Sequence, residues 1–182
     1  MDRSPELELM QQRFAEVHRA FPSAHFSDLR GEERGGKLCA TLGYRRAHRE
    51  TLFLERYLDQ PVEQCLAAVL GRDVTRNDVV EIGSLASCNA VAMIALWSRT
   101  ANDLGGDAEI AVAVLTAPLR CMFQRLGVNL VALAKADPAR LGPERAIWGS
   151  YYENDPVVCA GLVAEGQARL ARFAARIERQ AA

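Results

Sequence analysis

The chain has no apolar run approaching the ~18 residues that a membrane-spanning helix needs. It has no surplus of charge either: a formal net charge of −1 over 182 residues gives no general pull toward nucleic acid or anionic lipid. There is no CxxC pair, no histidine at ligand spacing, no Ser-His-Asp set and no P-loop. A nucleic-acid partner, a metal centre and membrane contact are therefore not expected. The five cysteines, Cys39, Cys65, Cys88, Cys121 and Cys159, form an odd, scattered set. They read as reduced thiols of a packed cytoplasmic protein rather than as a disulfide frame. Cys88 stands apart because it falls where a helix begins, a setting that favours thiol reactivity. The opening residues, MDRSPELELMQQ, are acidic and amphipathic, so no secretory signal is expected. What is present is an apolar content of 49%, enough for one domain over 1–182 with a substantial core.

Periodicity divides the chain into elements. Ser4-Pro5 is a cap followed by a first-turn proline, and Leu7, Met10, Phe14, Val17 and Phe21 predict a helix to about Ala20. GEERGG reads as a turn. KLCATLGYRRA, with Leu38, Ala40, Leu42 and Tyr44 alternating, and TLFLERYL read as two hairpin strands. Pro61 opens a helix with Val62, Cys65, Leu66, Val69 and Leu70 on one face, closed by Gly71. DVVEIGSL is a strand, Asn89 to Leu104 a helix, and AEIAVAVLT a strand covered on both sides. Pro118 to Leu126 is helical and NLVALA is the final strand. After WGSYYENDP, a long amphipathic helix is expected on Cys159, Leu162, Val163, Leu170, Phe173 and Ile177. Asp155 would cap it, Pro156 would enter its first turn, and Arg169, Arg172, Arg176 and Arg179 suit its C-terminus. The expected class is α/β, an α+β arrangement of helices on a mixed sheet.

This order of elements resembles the GNAT acyltransferase fold, and CMFQRLGV at 121–128 is similar to the stretch that ends the penultimate helix of those domains. LGYR, LFLERYLDQPVE, VVEIGSLAS, FQRLGV and WGSYYENDPVVCAG run in order across roughly residues 36 to 165. Together they are similar to the thermostable hemolysin family. A fainter likeness links PVEQCLAAVLG, VVEIGSLAS and LRCMFQRLGV to acyl-homoserine-lactone synthases, although Ser84 stands where those enzymes carry an arginine.

The resemblance implies an acyltransferase that moves an acyl group to a small amine. The donor would be a thioester, either acyl-CoA or the phosphopantetheine of an acyl-carrier protein. It also implies that the strand holding Glu81 splays from its neighbour and pairs with the pantetheine arm, while the next helix start holds phosphate. Ser84, Leu85, Ala86, Ser87, Asn89, Ala90, Val91 and Ala92 occupy that turn, which has no glycine and no basic residue. Its small side chains still permit close approach. A helix start that merely caps itself through Ser87 or Asn89 is the alternative reading. Phe123 stands where the superfamily often has a tyrosine acid.

Several side chains are candidates for the chemistry. Glu81 lies inside an apolar strand, with Val79, Gly83 and Leu85 on its face by alternation, and is the leading base. A buried ion pair with Arg56 or Arg120 is its alternative role. Glu55 is treated the same way, and two glutamates in one cleft would divide into acid and base. Tyr152 is a candidate acid. Trp148 and Tyr151 are candidate walls of an acceptor pocket, and Arg56 and Arg120 candidate substrate contacts, with a solvated face as the plainer role for Arg120 and Arg125. His18, His25 and His48 are expected in packing or surface roles. Two other function classes remain open: a membrane-active protein built on the amphipathic tail, and a catalytically silent module that binds a ligand or partner.

Overall fold

The computed structural model describes residues 4–23, 26 and 28–181, without the side chains of Ala174 and residues 177–181. His25 and the side chains of Ile177 and Arg179 thus lie outside the described part. Helix α1 (Pro5–His18) begins where the Ser4 hydroxyl accepts the Leu7 amide at 3.3 Å. It stops at His18, short of the expected Ala20, because Arg19 turns left-handed at φ 53°.

Strands β1 (Asp28–Arg34) and β2 (Lys37–Arg46) form an antiparallel hairpin around Gly35 and Gly36. Only those two glycines of GEERGG make the turn; its first four residues are strand, since an edge strand tolerates charged residues. TLFLERYL is not a strand. Phe53–Tyr57 is a 3-10 helix, and the Glu55 carboxylate accepts the Leu52 amide at 2.8 Å, bending the chain into it. Leu52, Leu54 and Leu58 are buried, a spacing that strand alternation mimics.

Helix α2 (Val62–Leu70), β3 (Val79–Ser87), α3 (Ala90–Leu104), β4 (Ile110–Leu115), α4 (Ala117–Arg125) and β5 (Val131–Lys135) follow close to their predicted places. The C-terminal segment departs most. Val157–Leu162 is a further strand, β6, and α5 (Val163–Ala181) starts only after it. Asp155 does not cap that helix; at φ 47° it turns the chain into β6. Cys159, Leu162 and Val163 fit a helical stripe as well as a buried strand, and the sheet decides between them.

Among the described residues the strands form one mixed sheet ordered β1-β2-β3-β4-β6-β5. Helix α3 makes the crossover between the parallel strands β3 and β4, and β6 slots between β4 and β5. One face packs Val79, Ile110, Val112 and Val158 against Leu54 of the 3-10 helix and Leu66 of α2. The other packs Leu42, Tyr44 and Val80 against Leu96 of α3 and Val163 of α5. Full burial of such aliphatic side chains is worth about 1.5–3 kcal/mol each. Helix α1 covers the first face through Met10 and Phe14, next to Ala86.

Candidate functional site

Strands β3 and β4 are paired only from Val79↔Ile110 to Ile82↔Ala113. Beyond that, β3 continues to Ser87 beside β2, and β4 continues to Leu115 beside β6. The two strands part from Gly83 and Val114 onward. The cause lies within β3: between the pairs Gly43↔Gly83 and Thr41↔Ala86, Ser84 and Leu85 together oppose Leu42. Ser84 takes the left-handed φ of 51° that such a bulge requires. A bulge bends its strand and increases its twist, which swings β3 away from β4. It also resets alternation. Leu85 does not share the face of Glu81; it joins Ile82 near Trp97, while Ala86 turns to Met10 and Phe14.

The gap widens into a cleft with Gly83, Ser84 and Leu85 on one side, Val114 and Thr116 on the other, and Glu81 among its walls. Phe14, Phe53, Tyr57, Trp148 and Tyr151 enclose it. The rings brace one another, with Trp148 5.3 Å from Tyr151 and 5.8 Å from Phe53, and Phe14 stacked on Tyr151 at 6.1 Å. Phe26 completes the enclosure. It fits because the cross-strand pair Gly43 and Gly83 leaves room: a Cβ on Gly83 would come within 2.3 Å of the Phe26 ring.

Glu81 is only 2% exposed. Its Oε2 accepts the Phe53 amide at 2.8 Å and its Oε1 the Leu54 amide at 3.0 Å, so the carboxylate seats the start of the 3-10 helix. Its ion-pair partner is Arg45, with Nε 3.3 Å from Oε2, and neither Arg56 nor Arg120. Burial outweighs Arg45 and the two amides and pushes the carboxyl up to about 7. A group so poised exchanges protons readily at neutral pH.

The other predicted residues divide. Glu55 is not brought to the cleft: it accepts the Leu52 and Val62 amides at 2.8 and 3.1 Å and pairs with Arg76 at 2.8 Å. Burial opposes its charge, yet Arg76 and the two amides overcome this and hold its carboxyl below the usual range. Arg56 pairs with Glu144 and lies over the Phe53 ring at 5.3 Å, outside the cleft. Arg120 clamps the end of β4 to the turn before β6, donating to the Leu115 carbonyl at 2.8 Å and pairing with Asp155 at 2.7 Å. Trp148 and Tyr151 do line the cleft, and the Tyr151 hydroxyl donates to the Val114 carbonyl at 3.4 Å, where β4 leaves β3. Tyr152 stands behind the wall, its hydroxyl 2.5 Å from that of Tyr57. Burial raises both phenols, so both stay protonated at neutral pH.

Tyr57, Phe26 and His18 are cleft residues that the sequence reading did not pick out as functional. His18 was expected in a packing or surface role; it borders the cleft, with its ring 5.3 Å from Tyr151, and burial lowers its pKa. The signal was its spacing, four residues beyond Phe14 on the same helical face.

A second groove adjoins the cleft, lined by Leu85, Ala86, Ser87, Asn89 and Ala90, with Arg13 of α1 opposite. The Asn89 side chain accepts the Ala92 amide at 2.8 Å, so the helix start does cap itself. Val91 is exposed and Ala92 fully buried; neither borders the groove. Arg13 donates to the Ser87 carbonyl at 3.1 Å, bringing to the turn a cation that its own sequence lacks. Among the described residues no cluster of His, Cys, Asp and Glu is placed to hold a metal, and no helix is long and apolar enough to cross a membrane.

Solved structures share this architecture. TofI, in a ternary complex with an inhibitor and MTA, aligns with a TM-score of 0.60 at 17% identity, covering 93% of this chain and 92% of its own. FeeM, an N-acyl amino acid synthase from uncultured soil microbes, aligns at 0.57 and 14% over 89% and 91%. BjaI, a CoA-dependent acyl-homoserine lactone synthase with MTA, aligns at 0.61 and 12% over 93% and 80%. At these identities the likeness is one of fold, the GNAT-like mixed α/β fold that the sequence resemblance implied. No curated protein sequence matches the chain. The family model described as thermostable hemolysin matches residues 2–167, and the chain belongs to that family.

Proposed function

We propose that the protein is an acyltransferase that passes an acyl group from a thioester to a small amine. The observation that carries this reading is the parting of β3 from β4 at the Ser84 bulge, which leaves Gly83 to Leu85 without a partner strand on the cleft side. A slender pantetheine arm can complete the ladder there as an added strand would. Glu81 is the base. It takes the proton of the amine as nitrogen attacks the thioester carbonyl; the C–N bond forms, the C–S bond breaks and the thiolate leaves. The Tyr57 hydroxyl, held by Tyr152, returns a proton to that thiolate.

Aromatic walls suit the apolar body of a small amine, whose nitrogen must be neutral when it attacks. On the far side of the sheet a small apolar cavity reaches Ile82, which also borders the cleft, and its lining suits the first carbons of an acyl chain. The donor is acyl-CoA or an acyl-carrier protein, presented along the groove by Arg13 and Asn89. All five cysteines are free, which suits the cytoplasm, where such donors are found.

The lytic activity suggested by the family description has less support, because α5 lays Val163 and Leu170 into the interior, 5% and 2% exposed. Titrating the protein with acyl-CoA and with acyl-carrier protein tests the acyltransferase reading. Saturable binding of one donor, followed by thiol release when an amine is added, supports it. Absence of binding to both donors, with the fold intact, refutes it.

A further inference from the structure

Cys39 lies in β2 and Cys88 one residue past the end of β3. Because Ala40 pairs with Ser87, the register carries Cys39 opposite Cys88, and the Cys88 amide donates to the Cys39 carbonyl at 2.9 Å. Directly opposed residues of an antiparallel ladder project to the same side with Cα atoms about 4.5–5.5 Å apart. That separation falls inside the roughly 4.4–6.8 Å spanned by disulfides. We propose that Cys39 and Cys88 form a reversible dithiol–disulfide site, open to a peroxide or a small-molecule disulfide, at the mouth of the groove beside α3.

The two thiols already interact. The neighbouring Cys88 side chain, together with burial, raises the pKa of Cys39. Cys88 is exposed and borders the groove, whereas Cys39 is buried. The Asn89 side-chain Nδ2 donates to the Cys88 sulfur at 3.7 Å. Cys88 is thus the entry sulfur and Cys39 the resolving one, an arrangement that suits redox sensing. With a peroxide, the Cys88 thiolate attacks one oxygen, the O–O bond breaks, and water and a Cys88 sulfenic acid result. Cys39 then attacks the sulfenic sulfur and loses its proton as a second water leaves. Two thiols and one peroxide become one disulfide and two waters, and a dithiol reductant reverses the change by exchange. Cys121 is exposed on α4 and serves as an internal control.

The test is chemical and independent of the acyltransferase reading. The folded protein is treated with hydrogen peroxide, or separately with oxidised glutathione, then blocked with iodoacetamide, digested with trypsin and analysed by mass spectrometry. The expected product joins peptide 38–45 to peptide 77–99, lighter than their sum by two hydrogens and lost on reduction. In Cys39→Ser, Cys88 is expected to remain a sulfenic acid trapped by dimedone. Wild-type protein in which Cys88 accumulates as a sulfenic acid or glutathione adduct, while Cys39 is still alkylated as a free thiol, overturns the proposal. So does oxidation confined to Cys121.

Discussion

The cleft between β3 and β4 and the corner around Arg76 each hold a glutamate, and their surroundings treat the two oppositely. In the corner, Arg76 lies 2.8 Å from Glu55 and also reaches Glu63 at 2.9 Å, so charge meets charge at close range. In the cleft, Glu81 has the more distant Arg45 and an aromatic enclosure, so desolvation prevails. A carboxylate stabilised as an anion fixes structure. One left near neutrality can exchange a proton. The difference comes from the partner supplied within reach, since both side chains also accept two backbone amides.

Changes at each glutamate can sharpen that contrast or break it. Glu81→Gln is expected to have the largest effect, a fall of about 10²- to 10⁴-fold in kcat, the usual contribution of a general base. The wild-type kcat/KM should climb with pH and level off above about 7, and the variant should lose that limb. Equal loss of rate with the limb retained would move the base elsewhere, His18 being the next group in the cleft.

Stability should also report the difference. Folded Glu81 ionises near 7, above its ordinary 4.5, so between those values the native state keeps a proton that the unfolded chain has lost. Its contribution is complete below pH 4.5 and declines as pH rises through 7, by on the order of 3 kcal/mol. Glu55 runs the other way, stabilising fully above 4.5 and losing its contribution as pH falls from there through its depressed value. Denaturant unfolding of wild type and Glu81→Gln across pH 5 to 8 measures this, and the variant should show the flatter profile. Glu55→Gln is expected to cost about 1.5–3 kcal/mol of stability through its charge-assisted hydrogen bonds, while leaving the pH limb of the rate unmoved. A shifted limb in that variant would mean that the two regions are coupled.

The smallest effect concerns the bulge itself. Ser84→Val places a β-branched residue at φ 51° and should cost about 1–2 kcal/mol. Ser84→Gly should be tolerated. Thermal melts of the pair check whether the left-handed turn is needed for the parting of the strands.

These contrasts also explain what the sequence could and could not reveal. The strand carrying Glu81, the helix begun by Asn89 and the buried run at Ile110–Leu115 each satisfy one period over a full element, and each forms. Val157–Leu162 satisfies two periods at once, and only its place between β4 and β5 makes it a strand. TLFLERYL alternates like a strand, but hydrogen bonds from the Leu52, Phe53 and Leu54 amides to two glutamates coil it. Within the site, Glu81, Trp148 and Tyr151 were legible as polar or aromatic residues in unusual positions. Arg45, Tyr57 and Phe26 were not: Arg45 meets Glu81 through strand register, Tyr57 arrives on the unforeseen 3-10 helix, and Phe26 fits in the room left by paired glycines, none of which single-sequence periodicity encodes.

The most direct measurement is a crystal structure with a non-hydrolysable thioether analogue of an acyl-CoA. The pantetheine arm is expected to run between Gly83–Leu85 and Val114–Thr116, hydrogen-bonded to the β3 backbone, with the sulfur near Glu81. An analogue bound elsewhere on the molecule, with the gap between β3 and β4 closed by side chains, would contradict the account.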